Sequence, residues 1–294
     1  KPYGYRVGPD PESSDRCTLG GMIANNSCGK RSLKYGAMRE NLVSARVVLA
    51  DGTVTNLRSV RRDGSDHGRK KNEQGLAGKI NRELPPLLKQ HEEVIEQGAE
   101  KIRAERNRSG YLVHRVNGVE NYHQQRLLCG SEGTLGILTE AVVRVYPLPG
   151  ATGLATVTFE NLLDAARAVP VIRHSHPVAC ELFDALILKL ARQARPAHAH
   201  LLPGDAGARL VIEYEDKNQE GVELQIQALQ VRLKEATPHK AVHVLLGADD
   251  QAALWAARKA ATPLLFRRPD GLQPIPFVED AALPIDQLGE YVEK

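Results

Sequence analysis

The residues best suited to chemistry here are glycines and amides. The stretch CTLGGMIANNSCGKRSLKYG, Cys17 to Gly36, holds four glycines, the adjacent Asn25 and Asn26, and no acid. A second piece, Gly130-Ser131-Glu132-Gly133-Thr134-Leu135-Gly136, repeats the theme. Glycine removes the Cβ that keeps a backbone away from a large ligand, and an amide side chain offers both donors and acceptors. The chemistry suggested is the holding of a bulky ligand. A Walker phosphate loop does not fit, because Gly29-Lys30-Arg31-Ser32 lacks the upstream glycine spacing and a preceding strand. Neither piece matches the G-x-G-x-x-G spacing of a dinucleotide crossover.

Other reactive groups are sparse. Cys17, Cys28, Cys129 and Cys180 are scattered with no C-x-x-C pair, so neither a zinc nor an iron-sulfur site is readable, and the thiols fit a reducing, cytoplasmic setting. His174 and His176 lie two residues apart beside Pro177 and read as solvent-facing, with no third ligand in view. The formal charge of +3 over 294 residues argues against general nucleic-acid affinity. No apolar run reaches the roughly 18 residues of a spanning helix. The opening KPYGYRVGPDP reads as the middle of a loop, which suggests a piece of a longer protein.

Several elements must position these residues. LVSARVVLADGTVTNL, Leu42 to Leu57, predicts a hairpin turning at Asp51-Gly52. RRDGSDHGRKKNEQG, with five Lys or Arg residues, predicts a solvated loop, a phosphate-binding patch being the weaker alternative. Leu76 to Arg106 predicts two helices broken at Pro85-Pro86. Gln124 to Pro149 predicts strand, tight loop, strand, with a domain boundary at Pro147 and Pro149. Beyond Gly150, strands alternate with amphipathic helices, which predicts an α/β or α+β layered domain with a split-βαβ sheet. The resulting division is 1–149 and 150–294.

TLGGMIANNSCGKRSLKYGAMRENLVSARVVLADGTV and LLCGSEGTLGILTEAVVRVYPLP together resemble the paired signatures of FAD-linked oxidases of the vanillyl-alcohol oxidase type. The nearest branch is that of the D-2-hydroxyacid dehydrogenases: D-lactate, D-2-hydroxyglutarate and glycolate-oxidising flavoproteins. RNRSGYLV, with Gly110-Tyr111, resembles the segment preceding the second signature. The resemblance implies an α+β fold: the C-terminal part of the FAD-binding domain over 1–149, then part of a cap domain with a mainly antiparallel sheet over 150–294. It implies FAD as cofactor, with Thr18, Gly20, Gly21, Asn25, Asn26, Gly29, Tyr35 and Gly36 on one wall. Glu132, Gly133, Gly136 and Ile137 would form the other. The residues taken alone leave Asn25 and Asn26 as turn caps, Glu132 as a surface acid, and Tyr35 and Tyr122 as packing groups. Cys28 reads as a spacer.

The resemblance also implies what lies outside this sequence. The family's pyrophosphate-binding loop would precede Lys1, and its His-rich motif of the H-x-x-x-G-D-G-N-x-H kind would follow Lys294, so the catalytic residues are expected elsewhere. FAD binding by this piece alone is expected to be weak or absent. LWAARKAATPLL resembles the cap helix whose arginine faces a substrate carboxylate, giving Arg258 with Thr262 one turn on, although an ordinary solvated helix arginine is the plain alternative. Arginine suits that role because its planar fork pairs a carboxylate bidentately. VGPDPESSDRCTLGGMIANNSCG and PIPFVEDAALP resemble the large bacterial members, in which an iron-sulfur module follows the flavin module. The expected activity is oxidation of a small D-2-hydroxy acid, with hydride transfer to FAD and electrons passed to an acceptor. The alternative is a non-catalytic scaffold with an incomplete flavin site.

Overall fold

The computed structural model describes residues 3–65, 74–102, 104, 107, 110–203, 206–265 and 281–294. The chain divides into two compact units, Lys1–Pro147 and Leu148–Lys294.

In the first unit, β1 (Tyr5–Val7) leads through a turn-rich loop to three short helices, α1 (Leu19–Ala24), α2 (Ser32–Tyr35) and α3 (Met38–Asn41). β2 (Leu42–Val48) and β3 (Val54–Arg61) form the expected hairpin, with Val48 opposite Val54 and Gly52 at φ +81°. α4 (Gly75–Gln90) and α5 (Glu92–Lys101) follow, then β4 (Asn121–His123), β5 (Ile137–Val143) and β6 (Val145–Pro147). The main sheet runs β4-β3-β2-β5, all pairs antiparallel, while β1 pairs with β6. Met22, Ile23, Met38, Leu42, Val47, Leu128 and Cys129 form the core that anchors both glycine-rich pieces.

Three sequence expectations fail here. The opening segment, expected to be loop, holds β1 because Tyr5–Val7 pairs antiparallel with Val145–Pro147. α4 runs through Pro85-Pro86 and ends at Gln90. An interior proline costs about 3 kcal/mol through its missing N–H and its clash with the preceding turn. Ala77, Asn81, Pro85 and Leu88 nevertheless form one buried stripe, and Leu84 packs against the cluster of Val60, Leu88, Val116 and Tyr122. Burial of that face holds the helix past the prolines. The strand expected before Gly130 is instead a 3-10 turn, Gln124–Leu128. Gln124 and Gln125 are buried there, and Gln125 Nε2 donates to Ser59 Oγ at 3.1 Å. Those inward amides occupy places that a strand would give to apolar side chains.

The second unit alternates as the pattern predicts: β7 (Ala151–Phe159), α6 (Leu162–Arg173), β8 (Ala179–Asp184), α7 (Ala185–Ala194), β9 (Ala208–Asp216), α8 (Gln219–Ala236), β10 (Ala241–Leu245), α9 (Ala248–Leu265) and α10 (Leu288–Glu293). Asn161, Asp184 and Asn218 each cap the following helix by accepting a backbone N–H three residues on, the preferred role of Asx side chains. Strand order is β10-β7-β9-β8, every pair antiparallel. β9 lies between β7 and β8, which is the split-βαβ arrangement. Ala155, Val157 and Phe159 with Leu210, Ile212 and Tyr214 pack against α6 and α8. The alternate residues Leu154, Phe183 and Val211 pack against α7 and α9. With both faces covered, β7 and β9 are buried almost throughout.

Candidate functional site

The two glycine-rich pieces, over a hundred residues apart, meet at Ala24. Its carbonyl accepts the N–H of Gly130 at 2.9 Å and that of Glu132 at 3.1 Å. Beside this junction Asn25 Nδ2 donates to Glu132 Oε1 at 3.1 Å. The third family-like segment joins through a 2.7 Å hydrogen bond between Tyr111 Oη and Thr134 Oγ1. Arg106, Arg108 and Ser109 of that segment lie outside the described residues.

This junction is open to solvent. Thr18, Gly21, Asn25, Glu132, Gly133 and Ile137 are all exposed, Gly20 partly so. Ile137 is 70% exposed, and Leu19, Leu135 and Tyr111 add apolar surface. Thr18 Oγ1 accepts from Gly21 N at 3.1 Å and starts α1. A Cβ on Gly133 would meet nothing within 4 Å, and one on Gly20 only Leu138 Cδ2 at 3.7 Å. Bare backbone flanked by apolar side chains is the surface expected of a wall for a flat, partly apolar ligand.

Of the remaining predicted residues Asn26 and Tyr35 are buried, while Gly29, Gly36 and Gly136 are partly exposed and pack against other parts of the chain. Asn26 is fully buried at φ +54°, and its Oδ1 accepts the Arg39 N–H at 2.9 Å. Tyr35 is buried against Tyr146, ring centroids 4.6 Å apart, and its hydroxyl accepts from Arg6 at 2.8 Å. Gly29 is needed by the chain itself: a Cβ there would stand 1.9 Å from the Asp10 carbonyl oxygen. Gly36, at φ +72°, faces Glu40, and Gly136 abuts the Val48 carbonyl.

A cavity of about 140 Å³ lies among Asn26, Cys28, Gly36, Arg39, Glu40 and Arg115. Asn26 Nδ2 and Arg39 Nη1 are buried with no hydrogen-bond partner. Such donors are costly unless something accepts from them. Arg39 is only 6% exposed, and its Nη2 pairs with Glu40 at 2.8 Å. Arg126 lies close enough to feel Arg39, Arg115 and Glu40; burial, more than its cationic neighbours, pulls its pKa down. His114 is likewise lowered, first by burial and then by Arg115 and Arg39. The neighbourhood therefore gathers three arginines against one glutamate, a field that favours an anionic ligand. Sequence reasoning missed these arginines, which sit in unremarkable contexts (MREN, VHRV, QQRL) and converge only in the folded unit.

In the second unit Arg258 lies on α9, half-buried, and its Nη2 donates to Glu181 Oε2 at 3.2 Å. Thr262 follows one turn later on the same helix; its side chain lies outside the described residues. His174 and His176 are exposed. Among the described residues no group of three His, Cys, Asp or Glu side chains could hold a metal ion, and no helix is long and apolar enough to cross a membrane. Burial pushes the thiols of Cys129 and Cys180 up to about 12. PIPFVEDAALP lies largely outside the described residues.

Comparison with known proteins shows the family and the fold. Residues 148–294 match the family model "FAD linked oxidases, C-terminal domain", and residues 1–58 match "FAD binding domain". D-2-hydroxyglutarate dehydrogenase of Pseudomonas putida is 30% identical over 99% of this chain and 30% of its own length. The enzyme of that name from Pantoea ananatis is 27% identical with the same coverage. Glycolate oxidase subunit GlcD of Bacillus subtilis is 29% identical over 97% of the chain and 48% of its own. The chain thus spans about a third to a half of the length of these relatives. The solved structure of alkyldihydroxyacetonephosphate synthase shares the fold, with TM-score 0.53 at 21% identity over 90% of this chain and 39% of that one.

Proposed function

From the premise that the chain belongs to the FAD linked oxidases, we propose that it is part of an FAD-dependent dehydrogenase of small D-2-hydroxy acids, of the D-2-hydroxyglutarate or D-lactate type. The observation that carries the reading is the junction at Ala24, which joins both glycine-rich pieces into one exposed wall. Its bare backbone at Gly20, Gly21 and Gly133 and the amide of Asn25 suit a flavin, with Thr18 and Ile137 at its margins. The donors left unpartnered on Asn26 and Arg39, with Arg115 and Arg126 near, suit the negative charge of the cofactor. FAD, when bound, supplies an acceptor for the hydride leaving the hydroxyl-bearing carbon. Tyr35, Gly29, Gly36 and Gly136 contribute by holding the wall in shape, since each packs against the chain itself.

Arg258 is assigned to the substrate carboxylate, with Thr262 as its neighbour on α9. A guanidinium carries five N–H donors in a planar fork, so it can serve more than one carboxylate. An iron-sulfur cluster and the electron acceptor, if the protein has the plan of the large bacterial relatives, belong to parts beyond this chain.

The test uses the full-length protein and this chain side by side. The full-length protein should purify with flavin absorbance that bleaches anaerobically on addition of D-2-hydroxyglutarate or D-lactate. This chain alone should hold little flavin, because affinity needs both halves of the cleft. A full-length protein that binds no FAD, or whose flavin no D-2-hydroxy acid reduces, would defeat the reading.

A further inference from the structure

We propose that Glu181 is a positioning residue for Arg258, fixing the orientation in which its guanidinium receives the substrate carboxylate; this rests on the assignment of Arg258 made above. Along β8 the side chains alternate. Cys180 and Leu182 pack with the α6 and α8 face, whereas Phe183 packs with α7 and α9. Glu181 therefore stands on the α9 face, a place that burial normally gives to an apolar residue. On α9, Leu254, Ala257 and Ala261 form the buried stripe, and Arg258 emerges at its edge. The helix is pinned from the other end of that stripe, where Gln251 Nε2 donates to the carbonyls of Thr152 and Leu246 at 3.0 and 2.9 Å.

The pair is more than a surface contact. The side chains of Arg258 and Glu181 are 31% and 22% exposed, so both are partly withdrawn from water, where a charge-assisted hydrogen bond holds geometry better than at an open surface. An arginine on a helix edge without such a partner samples several rotamers and loses that freedom on binding its ligand. Glu181 restricts those rotamers in advance. The opposing effect is also real, because Glu181 offsets part of the positive charge offered to the substrate. The two effects predict opposite results: loss of positioning raises KM for the 2-hydroxy acid, while loss of a competing charge lowers it.

The experiment measures steady-state kinetics and flavin content of the full-length flavoenzyme carrying Glu181→Ala, Glu181→Gln, Arg258→Met and the Glu181→Ala/Arg258→Met pair. Glu181→Ala should raise KM about tenfold, with kcat within about twofold and flavin retained. Glu181→Gln keeps length and an acceptor oxygen, and should raise KM only about threefold. In the Arg258→Met background, Glu181→Ala should add nothing, because its effect passes through the guanidinium. An unchanged or lowered KM in Glu181→Ala, or an undiminished effect in the Met background, would overturn the proposal. If Glu181→Ala fails to retain flavin, the Gln variant decides, and a wild-type KM there overturns the proposal. A wild-type KM in Arg258→Met would instead remove the Arg258 assignment itself.

Discussion

Replacing Gly29 by alanine separates two reasons for a glycine-rich piece. If Gly29 admits a cofactor, the substitution should empty the flavin site and leave the fold unharmed. The structure assigns the opposite. A Cβ at Gly29 would lie 1.9 Å from the Asp10 oxygen, 2.2 Å from its carbonyl carbon and 2.5 Å from Pro11 N. Real Cβ contacts do not fall below 3.0 Å, so the crossing chain must retreat by about 1.1 Å. It cannot do so as a flexible side-chain tip would. Lys30 and Arg31 both pair with Asp10, at 3.4 and 2.9 Å, and tie the two segments together. Overpacking of this kind costs about 3 kcal/mol, at the upper end of the usual range because backbone must move. For a unit of this size that corresponds to a fall in melting temperature of roughly 6–12 °C. Calorimetry reports both units, whereas the single tryptophan, Trp255, reports only the second by fluorescence. The lost stability should appear in the calorimetric transition that Trp255 does not follow. Gly20→Ala is the control: its Cβ meets one atom, at 3.7 Å, and helix propensity favours it by about 0.5–1 kcal/mol. Wild-type melting in Gly29→Ala would refute the reasoning.

Glu132 sits at φ +51° and accepts from Asn25. Glu132→Ala should destabilise by about 1 kcal/mol through the lost hydrogen bond, whereas Glu132→Gly, which also relieves about 1 kcal/mol of left-handed strain, should melt near wild type; equal melting of the two variants would contradict this. Asp51, at the hairpin tip, accepts from the N–H groups of Leu76 and Thr53 at 2.8 and 2.9 Å, and those bonds, Leu76 first, lower its pKa below 3.8. A depressed carboxylate contributes stability above its unfolded pKa and loses it as pH falls through the folded value. The melting difference between wild type and Asp51→Ala should thus be present near neutrality and close below about pH 3.8; a difference that persists in stronger acid would count against the assignment. Cys129 and Cys180, with thiols near 12, should resist an aromatic disulfide reagent in the native protein because the thiolate is the nucleophile. Cys129 is fully buried and Cys180 only partly, so peptide mapping should find label at Cys17 and Cys28 before either, with Cys129 last, and early label at Cys129 would be inconsistent with its burial.

The order of elements in the second unit was legible in the sequence because helix and strand periods are local. Apolar runs in β7 and β9 and helical spacing in α6 and α8 already state which segments are strands and which are helices, and the hairpin at Asp51-Gly52 is written in its turn residues. The family signatures were legible for the same reason, being short and contiguous. α4 was misread at Pro85-Pro86 because a local rule about proline cannot weigh a buried stripe supplied by Val60, Val116 and Tyr122. Within the glycine-rich piece, composition could not tell Asn25, which reaches Glu132, from Asn26, which turns inward to the Arg39 backbone. Nor could it tell Gly133, open to solvent, from Gly29, pressed on Asp10. Those roles depend on which distant segment returns to the same place. The convergence of Arg39, Arg115 and Arg126, and the meeting of Glu181 with Arg258, exist only once sheets and helices bring residues scores of positions apart within a few ångströms. Local pattern determines what each segment can form, but contacts made across the fold decide which of its side chains are left to meet a ligand.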